Sequence, residues 1–254
     1  MLDFTVKILM ELYTSLLHNG YQIVNVSDFL QKKYTGKTCI LRHDVDRGMH
    51  SALRLAQTEK RMGISASYYF RYPQTFNENI IKEIYNLNHD IGYHYEVLAK
   101  AGGNYGKAIE LFKKELGEFQ NITAVKTICA HGSPFSKWDN KKLWEKYNFI
   151  DLGIMGETCI SMDFNKIFYL TDTGRSWNAD TANIRDKVNT KFAYKFNNTC
   201  EIMSALKRGE LPDGIMLNIH PNRWNDDMCG WAVEFVGQNI RNLFKMLLQK
   251  ARNS

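Results

Sequence analysis

The apolar residues of this chain recur at two spacings, and the alternation between them marks out the elements. Between residues 4 and 18, Val6, Leu9, Met10, Tyr13, Leu16 and Leu17 keep helical spacing, and Asn19-Gly20 ends the run. Residues 21–26 read as a short strand, and Ser27 as the cap of a helix reaching about Lys33. A Thr35-Gly36-Lys37 turn leads into an apolar strand at 39–43. The pattern then predicts a helix over 51–62, an extended run over 64–70, a helix over 77–88 and a strand over 90–95. Further along it predicts a helix over 104–119, a strand over 125–130, a helix over 139–147 and an extended stretch over 149–155. A strand over 167–171, a helix over 198–208, a strand over 214–219 and a closing helix over 231–252 complete the chain. Regular alternation of strand and helix, without repeats or a Pro/Ser/Gly linker, favours a barrel-like, parallel-stranded α/β architecture. One domain over 1–254 is expected, with 1–37 as a helix-and-strand lead-in.

Composition narrows the class. With 254 residues, 44% hydrophobic and 24% charged, the chain has enough apolar material for a real core. A net charge of +6 is spread over scattered doublets such as Lys32-Lys33 and Lys113-Lys114, which argues against a nucleic-acid partner. No apolar run approaches the roughly 18 residues needed for a membrane span. The first residues read as a helix, not a signal peptide. Five cysteines without a CxxC pair suit a reducing cytoplasm, so three sequons, at Asn25, Asn121 and Asn197, are read as chance. Oligomeric state is not legible.

The chemistry gathers where strands end. Cys39-Ile-Leu-Arg-His-Asp-Val-Asp-Arg47 begins apolar and finishes in ionisable groups. Strand alternation puts Arg42, Asp44 and Asp46 on one side if the strand runs to its end. Two acids so close repel unless a cation or shared proton compensates them. Three other strands end in histidine signatures, Gly92-Tyr-His-Tyr-Glu, Ala130-His-Gly-Ser-Pro and Asn218-Ile-His-Pro, and a fifth ends in Thr171-Asp-Thr-Gly-Arg-Ser-Trp. In a parallel barrel these ends meet at one mouth. Imidazoles with carboxylates make a natural site for zinc or a similar divalent ion. His18, His50 and His89 lack that placement and read as structural.

On these motifs the chain resembles the polysaccharide deacetylase superfamily with NodB homology, in the branch opening with Arg-His-Asp-Val-Asp, from about Cys39 to Trp224. The resemblance implies a distorted (β/α) barrel of about seven parallel strands. It implies an enzyme, a metal-dependent hydrolase that removes an acyl group from an amide nitrogen of a sugar or polysaccharide precursor, in surface-polysaccharide synthesis. Asp44 would be the general base, Asp46 and His94 ligands of a divalent metal, zinc first, and His220 the general acid. The chain departs from the family at Leu98, where a second histidine ligand is usual, and His131 is the candidate replacement with Glu96 behind it. Asn218 stands where an aliphatic residue is usual. The third-motif arginine is also missing, and its task of orienting the base falls to Arg42 or Arg175. The alternative is a degenerate barrel that binds carbohydrate without turnover.

Substrate contacts are expected from Arg42, Arg175, Trp177, Arg223 and Trp224, since aromatic faces stack on sugar rings and guanidinium groups grip phosphate or carboxylate. The tryptophans equally suit a core, and Arg175 and Arg223 equally suit structural pairing with Asp172 and Asp226.

Overall fold

A computed structural model describes residues 2–31, 34–177 and 188–253. Its frame is a parallel sheet of β1 (Gln22–Val24), β2 (Thr38–Val45), β3 (Ser67–Phe70), β4 (Asp90–Tyr95), β5 (Thr127–Ala130), β6 (Gly156–Glu157), β7 (Ile167–Thr171) and β8 (Gly214–Ile219). Seven strands follow the order β6-β5-β4-β3-β2-β8-β7 and curl into a distorted half-barrel flanked by helices. β1 pairs with the first half of β2, Gln22 opposite Thr38, while β3 pairs with its second half, Arg42 opposite Ser67. The expected lead-in is therefore part of the sheet.

Every residue of β2 is buried, so its alternation separates two interiors. Leu41 and Val45 join the large core beneath the helices, with Tyr13 and Leu16 of α1 (Val6–His18) and Leu55 of α3 (Met49–Arg61). Ile40 faces the barrel interior beside Tyr69, Cys129 and Met216, and Arg42 and Asp44 follow it on that side. Crossovers between parallel strands carry α4 (Glu78–Asn86), α6 (Tyr105–Gln120) and α7 (Thr199–Lys207). Each of these begins at an asparagine cap, Asn77, Asn104 or Asn198, whose side chain accepts a backbone N–H of the first turn.

Three expectations need correction. The helix after β1, α2 (Val26–Gln31), is capped by Asn25, whose side chain accepts from Asp28 N at 2.7 Å; the Ser27 hydroxyl donates to Asp90 instead. The predicted end of that helix, Lys33, lies outside the described residues. The stretch expected to be extended at 149–155 begins as a 3-10 turn, Phe149–Leu152, because Asn148 caps it and Gly153, at φ 76°, turns the chain out. The segment expected to be a helix over 139–147 is likewise 3-10, Asn140–Glu145. A one-turn helix after β4, α5 (Val97–Lys100), and the two-residue β6 were too short for periodicity to reveal.

On the helix side of β2 the core holds one charged hub. Glu59 is fully buried and accepts from Tyr13 (3.0 Å), from Tyr68 (2.7 Å) and from His43 Nε2 (2.8 Å). His89 stands beside it, its Nδ1 accepting from Ala66 N and its Nε2 donating to Ala56 O, which makes it a structural histidine as expected. Burial raises the Glu59 pKa, but His43, His89 and the hydroxyl of Tyr68 outweigh it and hold the carboxyl below its usual range. Its contribution to stability is therefore fully present above the unfolded carboxyl pKa, about 4.3, and is lost as pH falls through the lowered folded value. Glu59→Ala is expected to lower stability at neutral pH by about 3–5 kcal/mol, and by less as the pH drops below 4, as followed by thermal denaturation.

Candidate active site

The floor of the site is the buried pair on β2. Asp44 Oδ2 accepts from Arg42 Nη2 at 3.4 Å and from Asn218 Nδ2 at 3.0 Å. The Cys129 thiol lies 3.7 Å from Asp44 Oδ1. Arg42 also donates to Tyr169 at 2.9 Å and to the hydroxyl of Thr158. Burial pushes the Asp44 pKa up, but Arg42, His94 and His220 together hold the carboxyl below its usual range, so Asp44 stays ionised. Asn218 fits this reading: an aliphatic residue there would leave Asp44 without its shortest side-chain donor contact.

β2 ends at Val45, and Asp46 stands just beyond it, its N–H donating to Asp44 O. Three imidazoles face its carboxylate. His94 Nε2 and His131 Nε2 each lie 3.5 Å from Oδ1, and His220 Nε2 lies 3.8 Å from Oδ2. In every case the other ring nitrogen is committed. His94 Nδ1 donates to Cys129 O at 3.0 Å, His131 Nδ1 to Glu96 Oε2 at 3.0 Å, and His220 Nδ1 to Asp172 Oδ1 at 2.6 Å. With each Nδ1 engaged, Nε2 is the nitrogen that faces Asp46, the arrangement found around imidazole metal ligands. Asp46 Oδ1 is buried and has no hydrogen-bond partner. Burial raises the Asp46 pKa, but His131, His94 and His220 draw it well below its usual value.

The surrounding groups hold these rings still. Glu96 accepts from Arg71 Nη2 through both oxygens at 2.9 Å; burial notwithstanding, His131 and Arg71 lower its pKa to about 2. Asp172 is fully buried and receives His220, Arg223 Nη1 (2.7 Å) and Trp224 Nε1 (2.6 Å). A cavity of about 680 Å³ opens above, lined by Asp44, Asp46, His94, His131 and His220 with Arg71 and Glu96 at one side.

Of the residues expected to touch substrate, only Arg223 lines this cavity. Arg42 lies beneath Asp44 and reaches no open space, and of the two arginines it is the one that pairs with Asp44. Arg175 turns away, its guanidinium 4.2 Å from the ring of Trp231 and its Nη1 donating to Trp231 O. Trp177 and Trp224 pack against Phe4 and each other in the core. The pairing of Arg223 with Asp172, one of two readings open in the sequence, is present; Arg175 pairs with neither acid. Tyr169 and Thr158, which hold Arg42, gave no signal in the sequence, because a lone hydroxyl on a short strand reads as ordinary.

No family model matches the chain, and no curated protein matches it. Among solved structures it is similar to a family 4 carbohydrate esterase from Bacillus anthracis, at 13% identity over 91% of this chain and 84% of that one, with a TM-score of 0.45. It is also similar to the catalytic domain of a peptidoglycan N-acetylglucosamine deacetylase from Eubacterium rectale (12%, 83% and 87%, TM-score 0.45). A third is a family 4 pseudoenzyme from Bacillus anthracis (11%, 82% and 62%, TM-score 0.44), of which this chain spans less than two thirds.

Among the described residues, two sets of side chains could hold a metal. One is Asp46, His94 and His131. The other is Asp44, His94 and Cys129, the set whose three donor atoms all lie within 4.8 Å of one another. Donor chemistry favours the first. Tetrahedral ligands at 2.0–2.1 Å from an ion stand about 3.4 Å apart, close to the 3.5 Å between Asp46 Oδ1 and each Nε2. In the second set burial pushes the Cys129 thiol well up, despite Arg42, and Arg42 and Asn218 already occupy Asp44. His131→Ala is expected to abolish stoichiometric metal binding while Cys129→Ser retains it, as read by elemental analysis of the purified variants. The reverse result assigns the metal to the cysteine set.

Proposed function

We propose that the protein is a metal-dependent hydrolase that removes an acyl group from an amide nitrogen of a sugar or polysaccharide precursor. The observation that carries this reading is the convergence of three Nε2-presenting imidazoles on Asp46, beside a second ionised carboxylate, at the floor of an open cavity. Asp46, His94 and His131 would hold the ion, and mixed imidazole and carboxylate donors suit zinc. Such an ion supplies Lewis acidity, lowering the pKa of water and polarising the acyl carbonyl.

The chain's own groups supply the proton transfers. Asp44, kept ionised by Arg42 and fixed by Asn218, takes the proton of the attacking water. His220 faces the other carboxylate oxygen of Asp46, Oδ2, at 3.8 Å. Asp172 holds its Nδ1–H, so the doubly protonated ring carries its transferable proton on Nε2 and passes it to the departing amine, returning to the neutral form. The exposed ring of Phe135 at the cavity wall offers an apolar face to a sugar. One observation favours the alternative, a barrel that binds carbohydrate without turnover: Leu98, at the position of the second motif histidine, is buried in the core and donates nothing.

Asp44→Asn is expected to slow hydrolysis of an N-acetylated sugar oligomer by about 10²–10⁴-fold with metal content unchanged. Retained turnover would move the base elsewhere. Metal-loaded wild-type protein that binds such oligomers and never cleaves them would return the binding-only reading.

A further inference from the structure

One wall of the cavity is built by arginines from three separate elements. Arg47 comes from the turn after β2, Arg223 from the segment after β8, and Arg241 from α8 (Met228–Asn253). Gly48 brings the first two together. At φ 69° it turns the chain so closely that a Cβ there would stand 2.9 Å from Asn222 Cβ, next to Arg223. The helix α8 then closes the wall with an inverted polarity. It buries Gln238 toward the cavity, alongside Arg241, and leaves Val233, Val236, Ile240 and Leu243 exposed.

Three guanidinium groups in one wall repel one another, and the carboxylates nearby are already engaged. Glu234 accepts from Arg241 at 2.7 Å and from Asn222 at 3.0 Å. Asp172 is filled by His220, Arg223 and Trp224. Asp139 accepts the N–H of Lys141, and Asp44, Asp46 and Glu96 belong with the histidines. Arg47 has no ion-pair partner among the described residues. Arg223 is buried, yet its Nε has no hydrogen-bond partner. Burial lowers the Arg241 pKa, and Arg47 and Arg223 add to that against Glu234. Like charges gathered at this density, with a buried donor unspent, fit an anion of more than one charge.

We propose that the cavity takes a phosphorylated N-acylated sugar, its phosphoryl group held by Arg47, Arg223 and Arg241 while the acyl amide lies over Asp44 and Asp46. The sugar half of this assignment rests on the hydrolase reading; the phosphoryl half rests on the arginine wall alone. A phosphate uses the fork geometry of several guanidinium groups at once, which a single carboxylate does not. A sugar monophosphate and a nucleoside diphosphate-linked sugar share that chemistry.

Calorimetric titration separates the cases without requiring turnover. The metal-loaded protein is titrated with free N-acetylglucosamine, its 1-phosphate, its nucleoside diphosphate conjugate, and pyrophosphate. Both phosphorylated sugars are expected to bind at least tenfold more tightly than the free sugar, with the affinity falling as salt rises and pyrophosphate competing. A further gain for the conjugate identifies the diphosphate as the natural group. Arg241→Gln and Arg47→Gln should each reduce that preference about tenfold, Arg241→Lys less, all with unchanged metal content. Equal affinity for free and phosphorylated sugars, no binding by either, or a preference that survives both glutamine variants overturns the proposal. Discriminating binding without cleavage leaves the arginine site standing and removes the hydrolase reading alone.

Discussion

The ion pair of Arg42 and Asp44 is the constraint on which the rest of the barrel depends. Both groups sit inside the sheet, where an unpaired charge is far more costly than at the surface. Their compensation comes from strands well separated in the sequence: Cys129 on β5, Thr158 just after β6, Tyr169 on β7 and Asn218 on β8. β6 and β7 are the two edges of the half-barrel and do not pair with each other. From within, Arg42 reaches Tyr169 on β7 and Thr158 just past the end of β6, so a polar side chain does inside the barrel what a ladder of hydrogen bonds would do at a closed seam. Breaking either partner strands the other, which ties the register of several strands to the charge state of one carboxylate.

The same pair explains why the site sits at one end of β2. Strand alternation carries Arg42 and Asp44 up the interior, and the chain leaves the sheet just as the next acid is reached. Asp44 is thus held by protein donors, and Asp46 is left to the histidines. Two acids two residues apart acquire opposite environments, one tied down by Arg42 and Asn218, the other facing three imidazoles and an open cavity.

Much of this was legible in the sequence because parity and topology do the work. Alternation placed Arg42 and Asp44 on one face, and a parallel sheet brings strand ends together whatever their separation, so Asp46, His94, His131 and His220 met as expected. Depth was not legible. Trp177 and Trp224 stand next to strand-end motifs in sequence, yet their rings pack into the core on Phe4, because adjacency along a chain says nothing about which side of a turn a large ring takes. Arg175 is displaced for a similar reason: it sits at φ 58°, and its guanidinium stacks on Trp231 of α8. The Glu59 hub gave no signal, since a lone acid on an amphipathic helix reads as solvated until the partner strands are in place. The arginine wall needed α8, whose inward polar face contradicts the usual reading of an amphipathic helix.

In the proposed metal set, His131 takes the place that Leu98 leaves, and it does so by a different geometry. Two histidines four apart share a face only on a helix, and here the residue at the second position is turned into the core by α5. His131 reaches the same centre through the sheet. β4 and β5 pair in parallel with His94 opposite Cys129 and Tyr95 opposite Ala130, and His131 N donates to Tyr95 O at 2.8 Å. That register sets the two rings edge to face, 5.2 Å apart at 83°. The orientation of each ring is then fixed by a different acceptor, Cys129 O for His94 and Glu96 for His131. In the proposed set, a pair of donors spaced by a helical turn is replaced by a pair set diagonally across two neighbouring strands, since His131 lies two residues beyond Cys129, the partner of His94. The sheet then supplies the rigidity that a short helix would otherwise have to provide.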